Sequence, residues 1–258
     1  MGNKIYATTI CILFALLSSC VTTVNDSSKK IDHKKALESN LRLGMTYLQN
    51  GDRDNAIRSF SKALEIDKRS AEAHQGMALV HNMNGETDLA EESFKKALRG
   101  KLTFSKSPIE FSYGLFLAEL DRCDDALPYF ENASQDIQYT GRAKAMVALG
   151  LCAGKTGDRT RAKAAYEHAL NLNKRLPRAS IELAEMAYAE RDYTNAKKYL
   201  DQFAASTKQT PRSLWLGIRL ERIFGNKDKE ASYALALKNL YPYSKEYLEY
   251  KNLIEQRL

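Results

Sequence analysis

The sequence predicts an all-α fold, a right-handed superhelix of about six stacked helical hairpins. Three observations carry this. First, a signature of Ala, an aromatic four residues later and Ala seven residues later recurs at Ala56-Phe60-Ala63, Ala90-Phe94-Ala97, Ala126-Phe130-Ala133 and Ala162-Tyr166-Ala169. It continues in weaker form at Ala196-Leu200-Phe203 and Ala231-Leu235, and successive first alanines lie 34, 36, 36, 34 and 35 residues apart. Second, turn residues fall just ahead of the signature at Asn50-Gly51-Asp52, Asn84-Gly85-Glu86, Thr156-Gly157-Asp158 and Arg191-Asp192. A hairpin needs a left-handed cap there, followed by an acceptor for the next helix N-terminus. Third, only 5 Pro and 13 Gly in 258 residues leave helices unbroken.

The elements follow in order. Lys4 precedes a mostly apolar run from Ile5 to Leu17, too short for the roughly 20 apolar residues that span a bilayer but long enough for a signal-peptide core. Leu17-Ser18-Ser19-Cys20 resembles a bacterial lipobox, whose cysteine takes a diacylglycerol and becomes the mature N-terminus. Residues 1–19 are therefore expected to be a lipoprotein signal peptide and Cys20 the lipidation site. Two or three acyl chains, at about 0.8 kcal/mol per buried CH₂, anchor stably where one would not. In lipoproteins of this type Asp after the cysteine signals inner-membrane retention, so Val21 resembles the outer-membrane pattern. Polar residues follow without periodicity, and 20–36 are expected to be a flexible tether.

The solenoid is expected over 37–258, with repeats at 37–70, 71–104, 107–140, 143–176 and 177–210 and a degenerate sixth at 211–244. Residues 245–258 continue it as a terminal helix. Each repeat carries a first helix (A) in register with the second (B): Leu43-Gly44-x-x-Tyr47 lies ahead of Ala56 as Leu149-Gly150 lies ahead of Ala162. A period of 34 is that of the tetratricopeptide repeat (TPR). Small residues let A and B approach, the aromatic fills the gap, and stacking buries what one hairpin cannot.

Charge and motifs narrow the function. Net charge is +7, or +6 once Lys4 leaves with the signal, and the lysines stand singly on helix faces without interleaved aromatics, which disfavours nucleic acid as a partner. No phosphate-cradling Gly-rich loop, HExxH or Gly-x-Ser-x-Gly is present. No catalytic residue, cofactor, metal or small-molecule substrate is therefore expected, and the chain is not expected to be an enzyme. His74 and His81 fall on core positions of helix A. Glu91-Glu92 and Asp124-Asp125 are expected to complement helix dipoles. Cys123 and Cys152 fall on adjacent helices, either as a disulfide in an oxidising compartment or as two buried thiols.

TPR superhelices bind partners on the concave face, lined by helix A. Its exposed positions carry Leu41, Met45 and Leu48, then Leu79 and Met83, Phe111 and Leu115, and Val147 and Leu151. An apolar stripe where polar residues belong marks either a protein-binding groove or a surface that the tether or the C-terminal helix covers. Lys144, Lys155 and Arg178 are expected to make the far end basic, although no Lys/Asn clamp of the chaperone-tail kind occupies these positions.

Further residues carry a closer resemblance. Ser213-Leu214-Trp215-Leu216-Gly217-Ile218-Arg219, Glu230-Ala231-Ser232-Tyr233-Ala234-Leu235 and Leu240-Tyr241-Pro242-Tyr243-Ser244 are similar to segments of the type IV pilus biogenesis and stability lipoproteins, the PilF/PilW-type pilotins. Gly150-Leu151-Cys152 is similar as well. The resemblance implies an outer-membrane lipoprotein that faces the periplasm of a Gram-negative bacterium and assists assembly and localisation of the pilus secretin. The rival is another TPR scaffold lipoprotein, an outer-membrane protein assembly factor or a protease adaptor. Cys20→Ala is expected to leave the protein soluble in the periplasm or unprocessed at the inner membrane; unchanged outer-membrane fractionation would rule the anchor out.

Overall fold

The computed structural model describes residues 32–255. The signal peptide, Cys20 and most of the expected tether lie outside them, as do 256–258. Among the described residues there are thirteen helices, paired as six antiparallel hairpins with one helix left over. The pairs are α1 (His33–Gln49) with α2 (Arg53–Ile66), α3 (Ala71–Met83) with α4 (Thr87–Arg99), and α5 (Ser107–Glu119) with α6 (Cys123–Gln135). They continue as α7 (Arg142–Lys155) with α8 (Arg159–Leu172), α9 (Pro177–Ala189) with α10 (Tyr193–Ser206), and α11 (Pro211–Ile223) with α12 (Lys227–Leu240). The last helix, α13 (Lys245–Glu255), packs on α11 and α12. The result is an all-α TPR superhelix. His33–Ala36 form the first turn of α1, capped by the Asp32 side chain on the Lys35 amide, so the boundary expected at 37 moves back. None of the described helices is long and apolar enough to cross a membrane.

One contact repeats through the stack. A small residue on helix A faces a large one sixteen positions later on helix B: Gly44 faces Phe60, Gly114 faces Phe130, Gly150 faces Tyr166 and Gly217 faces Tyr233. A methyl group on these glycines would lie 2.5, 2.7, 2.6 and 2.9 Å from the ring, closer than carbon atoms approach. Gly76 of the second hairpin presses on Phe60 from the other side, so the ring is clamped between hairpins. Phe94, fully buried, continues the wedge against Tyr113 and Phe116 of the next helix A, with ring centroids 5.2 and 5.3 Å away.

The A–B turns correct the register of the sixth repeat. Phe60, Phe94, Phe130, Tyr166 and Leu200 each stand nine residues after the left-handed turn residue, and after Gly225 that place is Ala234, with Leu237 in the place of the last alanine; both are buried, while Ala231 and Leu235 point to solvent. The alanine signature misplaced the helix by one residue because Glu230 stands where the first alanine belongs.

The A–B turns each place one residue in the left-handed region. Glycine does so at 51, 85, 157 and 225, but Asp121 and Arg191 hold φ of 60° and 61° at the equivalent turns of the third and fifth hairpins. Asp52, Asp158 and Asp192 then cap helix B by accepting from the backbone of Asn55, Arg161 and Asn195. Glu91 and Glu92 fall beyond the first turn of α4, where Asp88 is the dipole-complementing acid; Glu91 instead accepts from Arg122 at 2.8 Å. Asp124 and Asp125 do lie in the first turn of α6.

Two outcomes follow for thermal melts. Phe94→Ala empties the inter-hairpin wedge and is expected to cost about 3–5 kcal/mol. Arg191→Gly relieves the left-handed backbone and is expected to stabilise by about 0.5–1 kcal/mol; an unchanged or lower melting temperature would show that the turn carries no such strain.

Candidate partner-binding groove

Helices α5, α7 and α9 line a cleft of about 820 Å³. Its floor is apolar, formed by Leu115, Ala118, Ala148, Leu151 and Met186 together with the Cys123–Cys152 pair. Glu119, Lys155, Arg178, Glu182 and Glu185 rim it. Tyr166 also lines the cleft, and burial pushes its phenol well above the ordinary tyrosine range.

The ninth position of each repeat, counted from residues 37, 71, 107, 143, 177 and 211, places the stripe. Met45, Leu79, Leu115 and Leu151 hold that position in the first four hairpins, and Glu185 and Arg219 take it in the last two. Leu115 and Met83 are open to solvent, 39% and 42% exposed. Met45 and Leu48 are half-buried against the first core cluster, and Val147 and Leu151 against that of the fourth hairpin.

One expected groove residue sits differently. Leu41 is 3% exposed and belongs to the core with Ala73 and Val80 of the next hairpin, so it is not a groove residue. Leu79 and Phe111 are half-buried and lean on the next core cluster; the Phe111 ring lies 6.1 Å from that of Phe130. The fifth position of a repeat is buried at Leu41, Gln75 and Ile181 and half-buried at Phe111, Val147 and Trp215. Met186 stands at the tenth position of its repeat, beside the ninth-position Glu185, and so falls outside the positions from which the stripe is read.

The far end is not a free cationic surface. Lys155 pairs with Asp121 at 2.8 Å and Arg178 with Glu182 at 3.0 Å, while Lys144 is exposed. Arg212 grips Glu182 with two hydrogen bonds of 2.9 and 3.0 Å, and this pairing holds its guanidinium above the ordinary arginine value. Arg219 reaches Glu185 at 3.3 Å and lies 4.5 Å from the Tyr188 ring centre and 5.4 Å from that of Trp215. The ladder therefore closes on itself across α9 and α11.

His74 and His81 are not core residues. His74 Nε2 lies 3.0 Å from the Lys68 carbonyl and His81 Nδ1 2.5 Å from Glu86, both at the surface. Among the described residues no group of three or more His, Cys, Asp and Glu is placed to hold a metal.

Cys123, the first residue of α6, is disulfide-bonded to Cys152 on α7, with Cα atoms 5.0 Å apart. The bond joins helix B of the third hairpin to helix A of the fourth under the floor of the cleft.

Known proteins match this architecture and its details. The tetratricopeptide-repeat family model matches residues 37–70 and 143–175. The type IV pilus assembly protein PilF of Pseudomonas aeruginosa is 37% identical over 247 residues, which cover 95% of this chain and 97% of that protein. The chain belongs to the PilF family. A solved structure of Pseudomonas aeruginosa PilF superposes with a TM-score of 0.80 at 39% identity, covering 85% of this chain and 98% of that one. The crystal structure of PilW, described as a widely conserved type IV pilus biogenesis factor, has a TM-score of 0.67 at 26% identity over 83% of this chain and 98% of its own. Membership makes this chain a type IV pilus biogenesis protein of the TPR kind.

Mass analysis of native protein after thiol alkylation is expected to show Cys123 and Cys152 unmodified until a reductant is added. Reduction should then lower stability by about 2–4 kcal/mol. Alkylation of both residues without reductant would contradict the bridge.

Proposed function

We propose that this chain is an outer-membrane lipoprotein, anchored through Cys20 and facing the periplasm, that binds the type IV pilus secretin and assists its assembly and localisation. The observation that carries this is the apolar helix-A stripe, which opens into a cleft large enough for several side chains in a chain of the PilF family. An apolar segment of the secretin would lie along Met83, Leu115, Leu151 and Met186, with Met and Leu adapting to its shape. The charged ladder of the last hairpins bounds the groove. No bond need be made or broken: the protein acts by holding its partner, and attachment to the membrane raises the local concentration at which the two meet. The chain is on this reading a binding protein and not an enzyme.

Exposure selects the variants. Leu115→Glu with Met83→Glu is expected to melt like the wild type, since both side chains face solvent. Secretin capture should fall steeply, because a carboxylate left unpaired in an apolar interface costs several kcal/mol. Undiminished co-purification of the secretin with the folded double variant would remove the groove from consideration.

A further inference from the structure

Stacked antiparallel hairpins put every A–B turn on one edge of the solenoid and every B–A junction on the other. The junctions touch in succession. Lys101 donates its backbone N–H to the Arg69 carbonyl at 2.6 Å, Ser107 Oγ donates to Asp136 at 2.5 Å, and the Tyr241 hydroxyl donates to the Gln209 carbonyl at 2.8 Å. The two edges differ in charge. The first two junctions carry Lys68, Arg69, Lys101 and Lys106, the fourth and fifth add Lys174, Arg175 and Lys208, and the acids within these junctions are Asp67 and Asp136. Lys101 pairs with Asp67 at 3.8 Å and Lys106 with Glu110 of α5 at 3.1 Å, which leaves Lys68, Arg69, Lys174, Arg175 and Lys208 without a carboxylate partner among the described residues. Within the residues of the turn edge the balance reverses: Asp52, Glu86, Asp121, Asp158, Glu190 and Asp192 stand against Arg122 and Arg191, with Lys155 and Lys163 of the flanking helices pairing with Asp121 and Glu190.

The basic edge also presents apolar side chains. Phe104 is 60% exposed and Ile137 82%, and Leu102, Leu172, Leu240 and Tyr243 are exposed along the same side. The most concentrated stretch is Lys101-Leu102-Thr103-Phe104, in one of the two junctions lengthened beyond the 34-residue period. Its backbone is tied down from behind: the amides of Thr103 and Phe104 both donate to Glu72 Oε1 at 2.7 Å. A fixed loop that holds a ring and a leucine outward between lysines has the composition of an interfacial membrane contact.

From this the geometry points to a bilayer-binding edge: the B–A junctions rest on an anionic lipid surface, with Leu102, Phe104 and Ile137 entering the acyl boundary and the surrounding Lys and Arg meeting lipid phosphates. Charge complementarity chooses this edge over the other, which also exposes Leu120, Ile223 and Phe224 but would be repelled by the same phosphates. The apolar side chains choose a bilayer over a soluble polyanion, which offers no acyl region. The groove on the helix-A face is left open when the edge is seated.

Tryptophan placed at either edge tests this in the full chain. Phe104→Trp and Ile223→Trp variants would be bound to vesicles of phosphatidylethanolamine and phosphatidylglycerol with brominated acyl chains, with Trp215 in the wild type as background. Tryptophan at 104 is expected to shift to the blue and lose most of its emission, while that at 223 keeps its own. Lys101→Glu with Lys106→Glu, added to Phe104→Trp, should restore most of the lost emission, and phosphatidylcholine vesicles should quench weakly. Equal quenching at 104 and 223, quenching that survives the charge reversal, or no association with vesicles would each overturn the proposal. Salt-sensitive association without quenching at 104 would also overturn it, and would point to polyanion binding alone.

Discussion

A ring pressed against a residue with no side chain, sixteen positions earlier, is the contact on which the rest of this molecule depends. Gly44 with Phe60, Gly114 with Phe130, Gly150 with Tyr166 and Gly217 with Tyr233 set the distance between the two helices of a hairpin. Ala78 and Ala184 stand at the same place opposite Phe94 and Leu200, and all four are buried. Because the ring fills the space left by the small residue and also reaches the next hairpin, one side chain fixes both the packing within a repeat and the step between repeats. The groove inherits its shape from this: the ninth positions of successive repeats line up only because each hairpin is stacked at the same offset. Close packing makes such a step reproducible, since a ring cannot shift far without opening a void.

The placement of charge follows from the same periodicity. The array brings the ends of its hairpins into two rows, so a bias of Asp at one kind of loop and Lys at the other sums along the length of the molecule. The Asp bias has a local origin in N-capping at Asp52, Asp158 and Asp192. The Lys and Arg bias at the opposite junctions has no capping role in the hydrogen bonds found there. Within the groove, by contrast, charges are paired across helices, and the ladder from Arg178 to Arg219 leaves little net field.

The fold was legible in the sequence because repetition multiplies a weak local signal, and the all-α hairpin array follows from spacing alone. Two things were not legible. The sixth repeat lost the alanine on which alignment relied, and its register shows in the burial of Ala234 and Leu237 behind the turn at Gly225. Groove positions were legible in part: Leu115 and Met83 face solvent, but Leu41 is in the core and Phe111 leans into it. Position within a helix gives an angle, whereas burial depends on how far the neighbouring hairpin reaches, and that is a tertiary quantity. The salt bridge of Lys155 escaped for the same reason, since Asp121 lies on the turn of the neighbouring hairpin, whereas the Arg178–Glu182 pair has an i, i+4 spacing that the sequence itself displays.

A linear array of this kind has no contacts between distant hairpins, so its ends can fray without disturbing its middle. The Cys123–Cys152 bond changes that picture at one place. It lies at the junction between the third and fourth hairpins, with α1 to α5 on one side and α8 to α13 on the other. Opening that spreads inward from either terminus meets there a joint that cannot separate while the bond is intact. The cleft is built around the same joint, so the part of the surface best formed to hold a partner is also the part slowest to come apart.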